Sequence, residues 1–226
     1  MARINTRWAV ALLVAAVGTI GMTAATSMQL QTPTDWKWRT DAPATVRDTD
    51  KGLAADQWFY VGMPPGWHVT TGPGVVLYHP SHAPALNYRV QSQVFLFPGD
   101  SPEEYGVFVG GKGLDGASPS YTAFVARRDG QTAVITRTGS ASTMVTPWTA
   151  TGAPLPGTAE GAAKNILTVE VGPKDVVFSV NGKEAAKVAR TAVQVDGQVG
   201  LRVGARMNLH VSTFDLTHML APIPVK

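Results

Sequence analysis

Apolar and polar residues alternate with a period of two over most of the chain after residue 56, and Gly, Pro, Asn-Gly and Asp-Gly interrupt the alternation at short intervals. That period puts successive side chains on opposite faces of a strand. It predicts strands at 57–61 (QWFYV), 66–70 (GWHVT), 74–79 (GVVLYH), 86–97 (LNYRVQSQVFLF) and 105–111 (YGVFVGG). Within 86–97, Tyr88, Val90, Val94 and Leu96 share one side, while Arg89, Gln91 and Gln93 share the other ahead of Phe95 and Phe97. YTAFVARR and QTAVITR flank Asp129-Gly130 and read as a hairpin on a two-residue turn. That turn would set Phe124 against Ile135 and Val125 against Val134, with apolar pairs on both faces.

The C-terminal block repeats the rhythm. Leu167, Val169 and Val171 share a face, as do Val176, Phe178 and Val180, and Asn181-Gly182 closes a second hairpin. Its return strand, KEAAKV, carries the lysines expected of a protected edge. Val199, Leu201 and Val203 alternate cleanly, whereas the last strand changes phase between Leu209, Val211 and Phe214, Leu216. A bulge near Ser212-Thr213 reconciles the two halves. About a dozen strands, no helix beyond the leader and no internal repeat predict an all-β, two-sheet antiparallel jelly-roll sandwich over 57–220.

Residues 1–25 read differently. MARINTR is basic, the next fifteen residues are apolar, and small residues follow at 23–27. This is the pattern of a signal peptide cleaved after Ala25 or Ser27. The alternative is an uncleaved anchor, but the longest apolar run is eighteen residues with Gly18 and Gly21 inside it, against about 20 for a span. Either way the chain is expected to be exported: periplasmic, extracellular or on the cell surface, touching membrane only through the leader. Residues 26–56, rich in Thr, Asp and Pro, read as a linker or extended arm that Trp36 and Trp38 could pin as an edge strand, and 221–226 as an irregular tail.

Composition narrows the classes. With 226 residues and 44% hydrophobic content the chain can bury a core as one domain. Its 39 Gly and Pro residues fit turns between strands. No cysteine is present, which removes a lipobox, thiolate metal sites and cysteine nucleophiles. The net charge of +3 includes two leader arginines, and no cluster of five or more Lys and Arg occurs, so nucleic acid is not an expected partner.

The runs PPGWHVTTGPGVVLYHP, YGVFVGGKGLDG and NILTVEVG…VVFSVNGKE…VDGQVGLRVG…NLHVSTFDL resemble the concanavalin A-like lectin/glucanase superfamily. More narrowly, they resemble bacterial exported domains of the 3-keto-disaccharide hydrolase or laminarinase-like type. The resemblance spans roughly Gln57 to Leu216 and implies two curved antiparallel sheets with a glycan-holding concave face. It does not carry over a reaction. Laminarinase-type enzymes place E-x-D-x-x-E on one strand, so that two carboxylates stand about 5 Å apart for retention, and this chain has no such spacing. The 3-keto-disaccharide hydrolase branch offers no motif that maps residue by residue.

Other chemistry is thin. Asp100, Glu103 and Glu104 in GDSPEEYG read as a solvated loop. His79 and His82 lie in a Pro-containing turn without a third ligand at zinc spacing, and no loop is dense enough in Asp and Asn for calcium. There is no G-x-S-x-G elbow, and GGKG lacks the helix of a phosphate loop. No metal or cofactor is therefore expected.

Sugar binding demands less: an aromatic platform with amides, carboxylates or guanidiniums around it. Trp67, Tyr78, Tyr121 and Trp148 are candidate platforms, and His68, Arg89, Gln91 and Gln93 are candidate polar contacts. Packing in the sandwich rim and a solvated strand face are the plain alternatives for the same residues. The sequence thus points to an exported carbohydrate-binding or recognition sandwich without a catalytic motif. A glycan-active hydrolase of the 3-keto-disaccharide type, and a structural or protein-interaction sandwich, are the alternatives.

Overall fold

The computed structural model describes residues 31–155 and 161–219; the leader and the tail after residue 220 lie outside them. Fifteen strands build two sheets. The seven-stranded sheet runs in the order β1 (Lys37–Thr40), β5 (Val75–Tyr78), β14 (Gln198–Val203), β7 (Glu104–Lys112), β8 (Ser120–Arg127), β9 (Gln131–Thr138), β10 (Ala141–Ala150). The eight-stranded sheet runs β13 (Lys183–Ala189), β12 (Asp175–Val180), β11 (Ala163–Val171), β6 (Tyr88–Leu96), β15 (Asn208–His218), β4 (Trp67–Thr71), β3 (Gln57–Gly62), β2 (Thr45–Arg47). Every pairing is antiparallel except β2 with β3. A single 3₁₀ turn, Arg190–Ala192, is the one helical element among the described residues. None of the described helices is long and apolar enough to cross a membrane.

The period-two pattern works as the alternation demands. Val90, Val94 and Leu96 of β6, with Leu167, Val169 and Val171 of β11, face Val107 and Val109 of β7, Phe124 of β8 and Leu201 of β14 in one apolar cluster. Burial of each such side chain stabilises by about 1.5–3 kcal/mol. The β12–β13 hairpin turns on Asn181 (φ 53°) and Gly182 (φ 77°), the left-handed pair that a two-residue turn requires. In β15 the pairing with β6 jumps from Val211 to Thr213, leaving Ser212 unpaired, so Leu209, Val211, Phe214 and Leu216 all reach the core side.

One hairpin departs from expectation. Phe124 pairs with Val134, Val125 with Ala133, and Ala123 with Ile135. Three residues, Arg128 to Gly130, connect β8 to β9, closed by Gly130 N–H donating to Arg127 O at 3.0 Å. A two-residue turn needs positive φ at both central residues, but here only Gly130 has it (85°), and the Asp129 carboxylate accepts from Gln131 N. The register shifts by one, and Ile135 moves to the face opposite Phe124. Strand β10 was not visible in the pattern, because ASTMVTPWTA lacks clean alternation.

Two further features set up the site. The segment before Gln57 supplies β1 and β2, one to each sheet. On the outside of the seven-stranded sheet, away from the core, lies a second apolar cluster: Val76, Tyr78, Phe108, Tyr121, Ala123 and Val125, covered in part by Leu114.

Candidate functional site

That outer face carries a charge network around one buried guanidinium. Arg202 sits on β14 between Leu201 and Val203, which point into the core, so alternation sends its side chain outward. Yet it is only 5% exposed. Its Nη2 donates to Asp41 Oδ2 at 2.7 Å and its Nε to Glu104 Oε1 at 3.1 Å. Arg137 of β9 reaches the other oxygen of Asp41 through Nη1 at 3.3 Å and stands with Tyr121 in the lining of the same recesses. Burial alone works against the charge on Arg202; the Asp41 and Glu104 carboxylates oppose it and hold the guanidinium charged. Burial likewise pushes the Tyr121 hydroxyl up, against the pull of Arg202 and Arg137, so it stays a donor. Gly74 makes room: a Cβ there would lie 2.4 Å from Asp41 Oδ2.

Two adjoining recesses open on this network and share Tyr121 and Arg137. The first, about 220 Å³, is lined by Arg39, Asp41, Ser140 and the backbone around Pro119. The second, about 210 Å³, is lined by Glu104, Ile135, Ser142, Met144 and Arg202. Carboxylate oxygens, guanidinium N–H groups and a hydroxyl thus stand beside an apolar wall. Arg39 and Tyr78 hold the loop at one lip. Arg39 Nη1 donates to Leu114 O and Gly116 O, and the Tyr78 hydroxyl donates to Asp115, which also pairs with Lys37 at 3.2 Å. These two donors keep the Asp115 carboxyl below the usual carboxylate range.

The residues singled out by sequence fall in three places. Tyr121 lies at the recesses, with Tyr78 and Trp148 in the adjoining apolar cluster. The ring of Trp148 is capped by the Arg127 guanidinium at 3.7 Å, which leaves that face unavailable for stacking. Trp67 turns to the core side at the rim and packs on Trp36 at 4.4 Å. His68, Arg89, Gln91 and Gln93 lie on the outer face of the other sheet, on the far side of the sandwich. There His68 is buried between Phe59 and Phe97 with Asp50 3.8 Å away, Arg89 reaches Glu170 at 3.9 Å, and Gln91 donates to Thr168 at 3.1 Å.

Four residues of the recesses, Arg39, Asp41, Arg137 and Arg202, escaped sequence reasoning, and a fifth, Glu104, reads in sequence as a loop carboxylate. Glu104 is not part of a solvated loop; it opens β7 and is ion-paired. The usable signal was Arg202, a lone charge in GLRVG between two core positions. His79 and His82 stack ring on ring at 4.6 Å in their turn, and among the described residues no group of three or more His, Asp or Glu side chains could hold a metal ion.

No family model matches the chain, and no characterised protein matches it in sequence. Solved structures do match. The carbohydrate-binding module CBM66 from Bacillus subtilis superimposes with a TM-score of 0.54 at 10% identity, over 77% of this chain and 99% of that one. A Bacillus subtilis protein of unknown function with a galectin-like fold gives 0.53 at 14% identity, over 81% and 89%. A structure from work on endo-acting O-glycanases of human gut bacteria gives 0.52 at 11% identity, over 86% and 96%. At such identities the likeness is one of fold alone, a two-sheet β-sandwich.

Proposed function

We propose that the chain is an exported carbohydrate-binding module, and that its glycan lies across the two recesses on the outer face of the seven-stranded sheet. The observation that carries this reading is the fixed set of donors and acceptors around Tyr121 and Arg137. A sugar hydroxyl both donates and accepts. Asp41 and Glu104 offer acceptors, Arg137 offers donors, and Arg202 locks both carboxylates in place from beneath. Ile135 and the 45%-exposed Met144 give an apolar surface for the C–H face of a ring. The fold shared with a carbohydrate-binding module supports the same reading.

A glycan array run on the chain without its first 25 residues tests it, beside Arg137→Ala and Asp41→Asn variants. Each variant should weaken binding at least tenfold, the loss expected for charge-assisted hydrogen bonds of about 1.5–3 kcal/mol. Retention of no glycan by the unmodified protein would remove the reading. Fractionation of expressing cells tests export separately.

One observation favours a second reading. Asp41 and Glu104, 63 positions apart in sequence, converge on a single guanidinium, and paired carboxylates are the equipment of glycoside hydrolysis. The hydrolase reading, with 3-keto-glycosides among its candidate substrates, would use these two groups. Both are bonded to Arg202, which suits anchoring better than proton delivery, and so binding leads. Release of a reducing sugar or a 3-keto-sugar, lost in both Asp41→Asn and Glu104→Gln, would reverse the order.

A further inference from the structure

Charge at the recesses does not balance. Three guanidiniums, Arg39, Arg137 and Arg202, line them against two carboxylates, Asp41 and Glu104. Arg202 is matched by both carboxylates, and Arg137 shares Asp41. Arg39 has no carboxylate within ion-pair distance among the described residues. Its Nη1 is held by two backbone carbonyls, Leu114 O and Gly116 O, which fix the side chain in place without neutralising it. Asp115 lies between those two carbonyls in sequence but is engaged by Lys37 and Tyr78. The remaining guanidinium nitrogens, Nε and Nη2, hydrogen-bond no protein atom among the described residues. Nor are they among the sealed, unsatisfied polar atoms of the fold. They are therefore not sealed from solvent, and Arg39 lines the first recess together with Arg137.

We infer that this recess selects an acidic saccharide, with the sugar's anionic group, a carboxylate or a sulfate, docked on Arg39 next to Arg137. The inference rests on the glycan-binding reading and adds the ligand's chemical class. An oriented guanidinium presents parallel N–H donors that match two oxygens of one oxyanion. Because the backbone carbonyls already immobilise it, little rotamer entropy is lost when the ligand arrives. The local excess of one positive charge also favours anionic ligands during approach, an effect that salt screens.

An array carrying uronate-, sialate- and sulfate-bearing glycans beside their methyl-esterified or desulfated counterparts tests the inference. Inorganic sulfate and free glucuronate serve as competitors, to separate recognition of the anion alone from recognition of the saccharide. The charged members should bind at least tenfold tighter than their neutral counterparts at low salt, with the gap narrowing in 0.5 M NaCl. Arg39→Gln should erase the gap, read as the ratio of charged to neutral binding within the same folded variant, whatever happens to overall affinity. Arg39→Lys, which keeps the charge and loses the fork, should retain part of it. Equal binding of charged and neutral members, or a gap that survives in a folded Arg39→Gln protein, overturns the inference and leaves glycan binding intact. Binding of no glycan at all removes the underlying reading, and the inference with it.

Discussion

Asp41 and Arg202 meet at 2.7 Å although 161 positions separate them in the chain. The contact closes the segment ahead of β3 onto the seven-stranded sheet, with the Arg202 guanidinium withdrawn from water and the Asp41 carboxylate still partly exposed. Breaking a fully buried pair from one side costs about 3–5 kcal/mol, but here Asp41 keeps solvent and Arg137. Arg202→Met should therefore lower unfolding free energy in urea melts by less than that, through the mostly buried Glu104 carboxylate that loses its partner. Arg202→Lys should also lose stability, because one ammonium cannot serve Asp41 and Glu104 in the directions Nη2 and Nε do. A loss below about 1 kcal/mol in Arg202→Met would mean that water already shares the network.

Gly74→Ala attacks the same pair through sterics alone. The added Cβ would sit 2.4 Å from Asp41 Oδ2 and 2.9 Å from Arg202 Nη2, while Asp41 N donates to Gly74 O. Something must shift, and because the crowded atoms are side-chain ends the shift falls on the Asp41–Arg202 pair more than on the backbone. Glycan affinity should drop with stability in this variant. Unchanged affinity alongside reduced stability would detach Asp41 from the binding site.

How far the sequence could foresee this differs between frame and site. Alternation at Leu167, Val169 and Val171, the Asn181-Gly182 turn and the phase change at Ser212 were legible because each is set by neighbours in sequence. The β8–β9 register was missed by one because Asp129-Gly130 permits two loop lengths, and only Gly130 takes positive φ. The recesses were not legible. Arg39, Asp41, Glu104, Arg137 and Arg202 come from separate parts of the seven-stranded sheet, and singly each looks like a solvated charge. Only Arg202 among them is buried, where Asp41 and Glu104 converge on it from distant parts of the chain, and no local pattern encodes that convergence. The stripe Arg89, Gln91, Gln93 was correctly placed on one strand face, but that face lies across the sandwich from the recesses.

Acidity should weaken the fold through histidine. His68 is held below the ordinary histidine range, chiefly by burial, with His210 adding to the shift and Asp50 and Asn208 opposing it; His82 is lowered by burial and by His79. The folded protein thus binds these protons less readily than the unfolded chain does. Their contribution is whole above the unfolded value near 6.5 and is lost as pH falls below it toward the lower folded values. Tm should decline from pH 7.5 to pH 5.5, and His68→Asn should flatten that slope. An equally steep decline in His68→Asn would place the sensitivity elsewhere.

Asn165 offers a test on the opposite side of the core. Its Oδ1 accepts from Leu155 N at 2.7 Å and Asn181 Nδ2 at 2.8 Å, and its Nδ2 donates to the Tyr105 hydroxyl at 2.9 Å and Leu155 O at 3.1 Å. Replacement by Leu strands the buried Tyr105 hydroxyl, at about 1–3 kcal/mol for a buried group left unsatisfied, and removes the part-buried bonds to Leu155 and Asn181. Asn165→Leu should cost more than Asn165→Asp in chemical denaturation.

The strand at Lys37–Thr40 and the turn after it have a consequence for how the proposed binding face can be moved or copied. Most of the sandwich's core strands lie from Gln57 onward, yet Arg39 and Asp41 stand upstream. A graft that carried only the later residues into another protein would transplant most of the scaffold and leave behind two groups of the recesses. If the proposal holds, a shuffled sandwich keeps its ligand only when the upstream arm travels with it.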